Sequence, residues 1–337
     1  MTTIVYKNFN RAEKASNPII KLPPEYPSYL KPIPVNTRKI EDLLTDIIKR
    51  RRPVIAKWLY STWNAEREAL KYQEIRNALK EGEISQSWLE KWRQDYSKFV
   101  NEVMVNEWTL AITEGMNLLA DGIEKVMEAR PDLSIPMRRV NAYLTEHGAE
   151  LAVNLSDEQT LAVRNVLKKF AVDEGQHPTN FEKFLRPVIG LTDRETNAVY
   201  NYRKALIEEG MNLKKTEHLC ENYSGYLQRR RTQRIARTEI ADAYNKGAME
   251  GVKQSVEQGI IRDEMGKRWL TGKDERRCPS CGAMEGQVKK LNEQFVDPTG
   301  KYSSVDTPSL HPQCRCTVIY VILTINGTPI QLNKPYP

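Results

Sequence analysis

The feature that most constrains the fold is a cluster of cysteine and histidine residues near the C-terminal end. Cys278 and Cys281 form a C-x2-C pair, and His311, Cys314 and Cys316 follow together in one short stretch. A C-x2-C pair and an H-x2-C pair each have the spacing that supplies two ligands to a tetrahedral metal ion. The cluster therefore predicts a zinc site, and it requires the intervening loop to fold back on itself.

The cluster offers five candidate ligands for four coordination positions. The spacing favours Cys278, Cys281, His311 and Cys314, with Cys316 as the alternative, because two cysteines two residues apart in an extended segment face the same side. A closed four-ligand site is typical of structural zinc, whereas catalytic zinc keeps one position open. We expect zinc to staple a loop-rich region that has too few apolar residues to fold alone. Catalytic zinc and a metal-free group of thiols are the alternatives.

Composition sets broad limits on the class of protein. The 337 residues allow two or three domains, and a hydrophobic content of 40% is enough for sizeable cores. The net charge of +7 suits a polyanionic partner, although many helical proteins reach it as well. No apolar run approaches the ~18–20 residues of a membrane span, and no signal peptide pattern is visible. In a cytosolic protein, clustered cysteines are metal ligands more often than disulfides.

The order of sequence patterns predicts a mainly α-helical, α+β fold. We expect a helical body, one long helix over 222–258, and a small zinc-stapled module that contains β-strands. Proline residues exclude regular structure from the first segment, which is predicted to be an extended arm. The predicted segments are the arm at 1–36, a helical domain at 37–185, a second helical part at 186–260 and the zinc-knuckle β module at 261–337.

Local motifs mark several element boundaries. Ser156–Gln159 and Thr192–Glu195 both have the capping-box pattern that begins a helix. Residues 267–274 predict a strand and turn, and the β-branched run 317–325 predicts another strand. Asn326-Gly327 is a favoured hairpin turn, so the chain is expected to return after it.

Basic and aromatic residues suggest surfaces for partners. The tryptophans between residues 58 and 108 are interpreted as core anchors, with a base-stacking platform as the alternative. Two basic runs are interpreted as contacts for DNA or an acidic partner, with a solvated helix face as the alternative. These runs contain Lys49, Arg50, Arg51, Arg52, Arg229, Arg230, Arg231 and Arg234.

Three polar residues could be taken for an active site. Arg237 and Glu239 are two apart on the long helix, so they point in different directions and form no constellation by themselves. Separate buried ion pairs are expected instead, Glu239 with an arginine such as Arg268, and Arg237 with Asp274. The histidines outside the cluster are interpreted as surface or capping residues; they are His147, His177 and His218.

Several of these motifs occur in an order that resembles a known family. Arg237-Thr-Glu239 in a helix comes first, followed by Trp269–Asp274, the C-x2-C pair, Gly286, and the stretch from His311 to Cys316 before a terminal strand. This order resembles the phage Mu F-like minor head protein family, the phage head morphogenesis proteins. The resemblance covers about residues 185–325.

The resemblance implies a virion component rather than an enzyme. Such a protein is recruited by the portal protein during assembly in the host cytoplasm, lies inside the head near the portal, and contacts other capsid or scaffold proteins. Contact with packaged genomic DNA and a role in DNA ejection are also implied. The alternative is a phage-encoded enzyme packaged in the virion, either a zinc-stapled nuclease or an ADP-ribosyltransferase-like effector. A DNA-binding regulator is a third possibility, although no helix-turn-helix pair stands out.

Overall fold

The structure is a computed structural model, and it describes eight stretches of the chain. The proline-rich arm, Asp274, His177 and the Asn326-Gly327 turn lie outside them. The described residues are 37–69, 95–127, 130–133, 137–172, 184–261, 264–272, 277–325 and 328–329.

Long helices dominate the described residues, which confirms the predicted mainly α-helical, α+β class. The helix predicted over 222–258 is present and begins earlier, at Leu213. A helical turn, Ser97–Phe99, and a π-helical segment, Val100–Met104, lead directly into the second helix. The long helices are α1 (Thr37–Ala69), α2 (Val105–Met127), α3 (Met137–Val172), α4 (Asp193–Glu208) and α5 (Leu213–Glu257).

The start of α4 confirms one of the two predicted capping boxes. Thr192 Oγ1 accepts a hydrogen bond from the Glu195 N–H at 3.3 Å, and Glu195 Oε2 accepts one from the Thr192 N–H at 3.1 Å. Gly190 precedes the box with a φ of 80°, and a Cβ there would lie 2.3 Å from the Trp63 ring. Only glycine fits this turn, because both the backbone conformation and the packing exclude a side chain.

The second predicted capping box was wrong, because Ser156–Gln159 lies inside α3. The apolar periodicity on both sides continues the helix through the motif. Gln159 is only 3% exposed. Its Oε1 accepts hydrogen bonds from the Tyr96 hydroxyl at 2.9 Å and from the Gly190 N–H at 3.2 Å. The residue that looked like a helix cap is therefore a buried link between elements.

The chain divides into two compact units, each built from separate stretches. We call the first the helical unit, which comprises Thr45–Thr113 and Ser134–Tyr244. The second, the mixed unit, comprises Met1–Leu44, Glu114–Leu133 and Asn245–Pro337. Among the described residues, no helix is both long and apolar enough to cross a membrane.

The helical unit has an apolar core between its helices. In α1 the inward face repeats at three- and four-residue spacing, with Ile55, Leu59 and Trp63 fully buried. Cys220 is also buried, as predicted for a small packed residue. It belongs to a cluster with Val163, Val166, Phe184, Leu185, Val188, Ile189, Leu191, Val199, Tyr200 and Leu227.

The mixed unit contains a small antiparallel sheet with the strand order β2-β1-β3. The strands are β1 (Met265–Leu270), β2 (Val288–Lys290) and β3 (Thr317–Ile322), so the predicted strands in both regions are confirmed. Two further short strands, β4 (Thr324–Ile325) and β5 (Thr328–Pro329), pair as the predicted hairpin requires.

The core of the mixed unit joins the sheet to helix residues. The Trp269 and Phe295 rings meet edge to face, 5.1 Å apart. Leu119 and Ile123 of α2 and Val252 of α5 belong to the same buried cluster. The cysteines Cys281, Cys314 and Cys316 are also members, so the predicted metal ligands lie at the edge of an apolar core.

Candidate metal centre

The first pair of predicted ligands is shaped by a short helix, α6 (Pro279–Met284). Cys278 is its N-cap residue, and Pro279 occupies the first turn, where no backbone N–H is needed. Cys278 Sγ accepts a hydrogen bond from the Cys281 N–H at 3.3 Å. This contact folds the two sulfurs to the same side, as a metal-binding knuckle requires.

The second pair lies on a tight turn that also sets the histidine tautomer. Cys314 donates its N–H to the His311 carbonyl at 3.0 Å, and Gln313 adopts a φ of 64°. His311 Nδ1 lies 2.9 Å from the Pro312 carbonyl oxygen. Because a carbonyl can only accept, Nδ1 carries the proton, and Nε2 is left with the lone pair that a metal needs.

The two pairs converge into one cluster. His311 Nε2 lies 3.1 Å from Cys278 Sγ and 3.0 Å from Cys281 Sγ. Cys281 Sγ lies 3.8 Å from Cys314 Sγ. Two overlapping ligand groups share Cys281: Cys278 with Cys281 and His311, and Cys281 with Cys314 and Cys316. Within each group the donor atoms are all within 4.8 Å of one another, so the five residues could hold a metal ion.

The close thiols change one another's acidity. Hydrogen bonds from the Cys281 and Cys316 thiols hold the pKa of Cys314 well below its usual range. The pKa of Cys281 is raised in turn, because its proton is held by the hydrogen bond to Cys314 and burial opposes a second charge. Metal ligation requires deprotonated thiols, so binding at this cluster would release protons.

Buried polar contacts support the loop that carries the second pair. Lys267 in β1 is fully buried, and its Nζ donates to the Asp306 carbonyl at 2.7 Å. Burial lowers the pKa of Lys267 to about 8. Asn245 Oδ1 accepts from the Thr317 hydroxyl at 2.8 Å, at the residue that follows Cys316. These contacts fix both ends of the segment that contains His311 and Cys314.

A carboxylate supports the first pair. Glu285, directly after α6, accepts hydrogen bonds from the Thr271 backbone N–H and hydroxyl, each at 2.6 Å. Gly286 donates its N–H to the Trp269 carbonyl at 3.0 Å. The end of β1 therefore holds the short helix that begins at Cys278, and the sheet fixes the position of the knuckle.

Glu239 pairs with a histidine of the helical unit, whereas the sequence predicted an arginine such as Arg268 as its partner. His147 Nε2 lies 2.6 Å from Glu239 Oε2. The His147 ring stacks on Tyr143 at a centroid distance of 5.1 Å. The interpretation of His147 as a surface or capping residue was wrong. The residues are 92 positions apart, so no local pattern could have paired them.

His147 is protonated over the neutral pH range. Burial alone would lower the pKa of His147, but the attraction and hydrogen bond of the Glu239 carboxylate outweigh it and raise the pKa to about 9. Asp242, which accepts the Tyr143 hydroxyl at 2.6 Å, adds to the negative potential. Arg237, predicted to form a separate ion pair with Asp274, is half-buried on the same helix.

Four of the basic residues predicted to contact DNA or a partner are exposed in the helical unit. Lys49 and Arg50 lie on α1, and Arg229 and Arg230 lie on α5. The Arg230 guanidinium lies 5.5 Å from the centroid of the Tyr226 ring, and the Tyr226 side chain is itself exposed. An arginine stacked on an exposed aromatic ring is an arrangement that suits contact with nucleic acid.

The other four basic residues are partly or fully buried. Arg51 donates to Glu107 at 3.2 Å, and Arg234 donates to Glu195 at 3.1 Å. Arg52 is half-buried. The contacts of Arg51 and Arg234 are made within the helical unit, which differs from the expectation that they face a partner.

Arg231 departs furthest from the sequence expectation. It is 1% exposed, and its guanidinium donates to the Gly190 carbonyl at 2.7 Å and to Glu158 at 2.5 Å. The same group lies 5.1 Å from the centroid of the Trp63 ring. Its charge holds the glycine turn before α4 instead of facing outward.

The comparisons with known proteins agree with the motifs. A family model described as phage Mu protein F like protein matches residues 162–319. Comparison with curated proteins and with solved structures gave no match. The matched residues include Arg237–Glu239 and all five residues of the cysteine and histidine cluster. Over residues 162–319 this chain is therefore similar to the phage Mu F-like proteins, a family of phage head morphogenesis proteins.

Proposed function

We propose that the chain is a minor head protein of a tailed phage that associates with the portal inside the head. The observation that carries the proposal is the family match over residues 162–319, which spans all of α5, strands β1 and β2 and the first half of β3. Assembly would take place in the host cytoplasm, with other capsid or scaffold proteins as neighbours. The role is structural, and no catalytic residue is assigned.

The cysteine and histidine cluster is proposed to hold one structural zinc ion. Thiolate and imidazole donors suit zinc, and the 3.8 Å between Cys281 Sγ and Cys314 Sγ is close to the separation of two sulfurs each ~2.3 Å from a tetrahedral ion. Cys278, Cys281 and His311 supply three positions, and Cys314 or Cys316 the fourth. Burial and donor number favour a closed, structural site over a catalytic one.

Arg229 and Arg230 are the proposed contacts for packaged DNA. Both are exposed, and Arg230 is stacked on the exposed Tyr226. Binding would be sensitive to salt, because each phosphate contact releases counterions and makes the slope of log affinity against log salt concentration about 0.9 more negative. The Arg229→Ala/Arg230→Ala variant should bind duplex DNA more weakly, and its affinity should depend less steeply on salt concentration. Lys214→Ala/Lys215→Ala, which removes equal charge from exposed positions on the same helix, is the matched control.

The portal association is tested by co-purification from infected cells. Heads are purified and probed by quantitative mass spectrometry, and the chain is cross-linked to its neighbours before the heads are opened. We expect the chain in heads at a few copies, cross-linked to the portal protein. Its absence from heads, or cross-links to host proteins alone, would overturn the proposal.

A further inference from the structure

The four cysteines of the cluster differ in their exposure to solvent. Cys281, Cys314 and Cys316 are 4%, 1% and 2% exposed, whereas Cys278 is half-buried. An oxidant in the solvent therefore reaches the Cys278 sulfur before the other three. Reactive cysteines are partly exposed, whereas fully buried ones are inert. This difference singles out one sulfur of the cluster for chemistry that a purely structural site does not use.

A second sulfur lies within reach of Cys278. In the ligand group of Cys278, Cys281 and His311, the donor atoms are all within 4.8 Å of one another, and Cys281 supplies the other thiol. The hydrogen bond from the Cys281 N–H to Cys278 Sγ holds the two sulfurs on the same side of α6. The C-x2-C spacing is also that of dithiol redox motifs. The pair thus combines an accessible sulfur with a buried one that can react with it.

We propose that Cys278 and Cys281 are a redox pair, which peroxide converts into a disulfide with release of the metal ion. The inference rests on the proposed zinc site and adds regulation to it. Thiols stay reduced in the host cytoplasm, so the site would keep its metal there during assembly. It would lose the metal once the particle reaches an oxidising medium.

The oxidation takes two steps and consumes one hydrogen peroxide. The Cys278 thiolate attacks a peroxide oxygen, the O–O bond breaks, hydroxide leaves, and a sulfenic acid remains on Cys278. The Cys281 thiolate then attacks the Cys278 sulfur, the S–O bond breaks, a second hydroxide leaves, and the disulfide forms. Two electrons pass from the two sulfurs to the peroxide, and the two hydroxides take up protons from the solvent.

The disulfide removes two donors at once. Metal ligation requires thiolates, and a disulfide sulfur carries no charge. Three of the five donors then remain, His311, Cys314 and Cys316, which is fewer than the four of a closed zinc site. Release of the metal therefore follows from the loss of this pair.

A disulfide between Cys281 and Cys314 is the main alternative within the cluster. Their sulfurs are 3.8 Å apart. Both side chains are fully buried, however, so neither is the first to meet an oxidant. The exposure of Cys278 favours the pair on α6.

The test uses the zinc-loaded full chain, with hydrogen peroxide as the probe. Released zinc is followed with a coloured zinc indicator, and disulfides are mapped by mass spectrometry of unreduced peptides. We expect the bound zinc to be released as a disulfide between Cys278 and Cys281 forms, with Cys220 left as a free thiol. Reduction with a phosphine and addition of zinc should restore the bound metal.

Two variants separate this pair from a general effect of peroxide. Cys278→His keeps a donor that suits zinc but cannot form a disulfide, so peroxide should release its zinc about tenfold more slowly or less. Cys220→Ala removes a buried thiol outside the cluster, and it should release zinc as fast as wild type does. If Cys278→His binds no zinc, the disulfide map of the wild-type chain decides.

Each contrary result has a distinct meaning. A disulfide from Cys281 to Cys314 or Cys316, oxidation of Cys278 without a disulfide, or equally fast release from Cys278→His would overturn the assigned pair. Zinc that stays bound in peroxide, with all thiols reduced, would overturn the redox role and leave the structural site standing. A purified chain that binds no zinc would overturn both.

Discussion

The two units are stabilised in different ways. The helical unit uses long helices whose apolar faces pack together, and buried side chains then fix a single glycine turn before α4. The mixed unit has short strands and a loop of few regular elements between Val288 and Cys316, and five cysteine and histidine side chains converge at its edge. Long helices provide enough apolar surface to fold, whereas a loop-rich segment needs a cross-link.

The turn at Gly190 shows how polar groups take the place of a cross-link in the helical unit. Gln159, Gln228 and Arg231 all donate to or accept from the backbone of residues 187–190. Each of these side chains is nearly or fully buried. We therefore expect the stability of the mixed unit to respond to metal and thiol changes, and that of the helical unit to changes in packing and protonation.

The largest expected effect is in the mixed unit. Cys281→Ser removes the residue common to both ligand groups, so we expect its metal affinity to be lost and the unit to be destabilised by about 5 kcal/mol or more. Limited proteolysis should cut within residues 277–325 of the variant. Cys220→Ala, which changes a buried thiol of the helical unit, is the control and should leave this segment protected. If residues 277–325 of Cys281→Ser resisted proteolysis as well as those of the control, the mixed unit would not depend on the cluster for its stability.

The next effect is in the helical unit. Gly190→Ala introduces a Cβ 2.3 Å from the Trp63 ring at a φ of 80°, so backbone strain and overpacking together should cost about 3 to 5 kcal/mol. Gly210→Ala is the matched control, because Gly210 has a φ of 79° and open space around its Cα. It should cost only about 1 kcal/mol. Chemical denaturation measures the loss of unfolding free energy in both variants. Equal losses would show that packing around Gly190 does not restrict the turn.

Stability of the helical unit should fall as the pH rises. Burial raises the pKa of Glu66 to about 7, and Glu239 raises that of His147 to about 9 against the effect of burial. In both cases the folded state holds its proton more tightly than the unfolded state. The stabilisation is complete below the unfolded pKa and is lost as the pH passes through the folded one.

The measurement is the free energy of unfolding between pH 5 and pH 9. Glu66 should contribute a decline between about pH 4.5 and 7, and His147 one between about 6.5 and 9, each on the order of 3 kcal/mol. Glu66→Gln should reduce the decline of the unfolding free energy in the lower pH range, and Glu239→Gln should reduce it in the higher range. A free energy of unfolding that does not change over this range in wild type would show that these buried groups do not distinguish the helical unit.

The smallest expected effect is at the start of α4. Thr192→Ala removes the side-chain acceptor of the capping box and should destabilise the helical unit by about 1 kcal/mol. Thr192→Ser keeps the hydroxyl and should be nearly neutral. Thermal melting of the two variants resolves the difference. Identical melting would mean that tertiary packing alone fixes the helix start.

The sequence predicted what depends on spacing within a short stretch. The cap at Thr192, the strands around Trp269 and Val318, and the meeting of the cysteine pairs all follow from local patterns. The features that the sequence did not predict depend on which side chains are buried. Ser156–Gln159 has the pattern of a cap but lies inside a helix, and Arg231 belongs to a basic run but is buried. Such outcomes depend on residues far away in the chain. The pairing of His147 with Glu239 was not predicted for the same reason, because these residues are also far apart in the sequence.

We expect the cysteine and histidine cluster to be a structural metal centre that holds the mixed unit together. Native mass spectrometry of the purified chain tests it most directly, with hydrogen exchange followed before and after chelation. We expect one zinc ion per chain, and chelation should expose the amides of β1 and β3 to exchange while those of α3 and α4 stay protected. A metal-free chain whose β1 and β3 amides are protected regardless of chelator would contradict it.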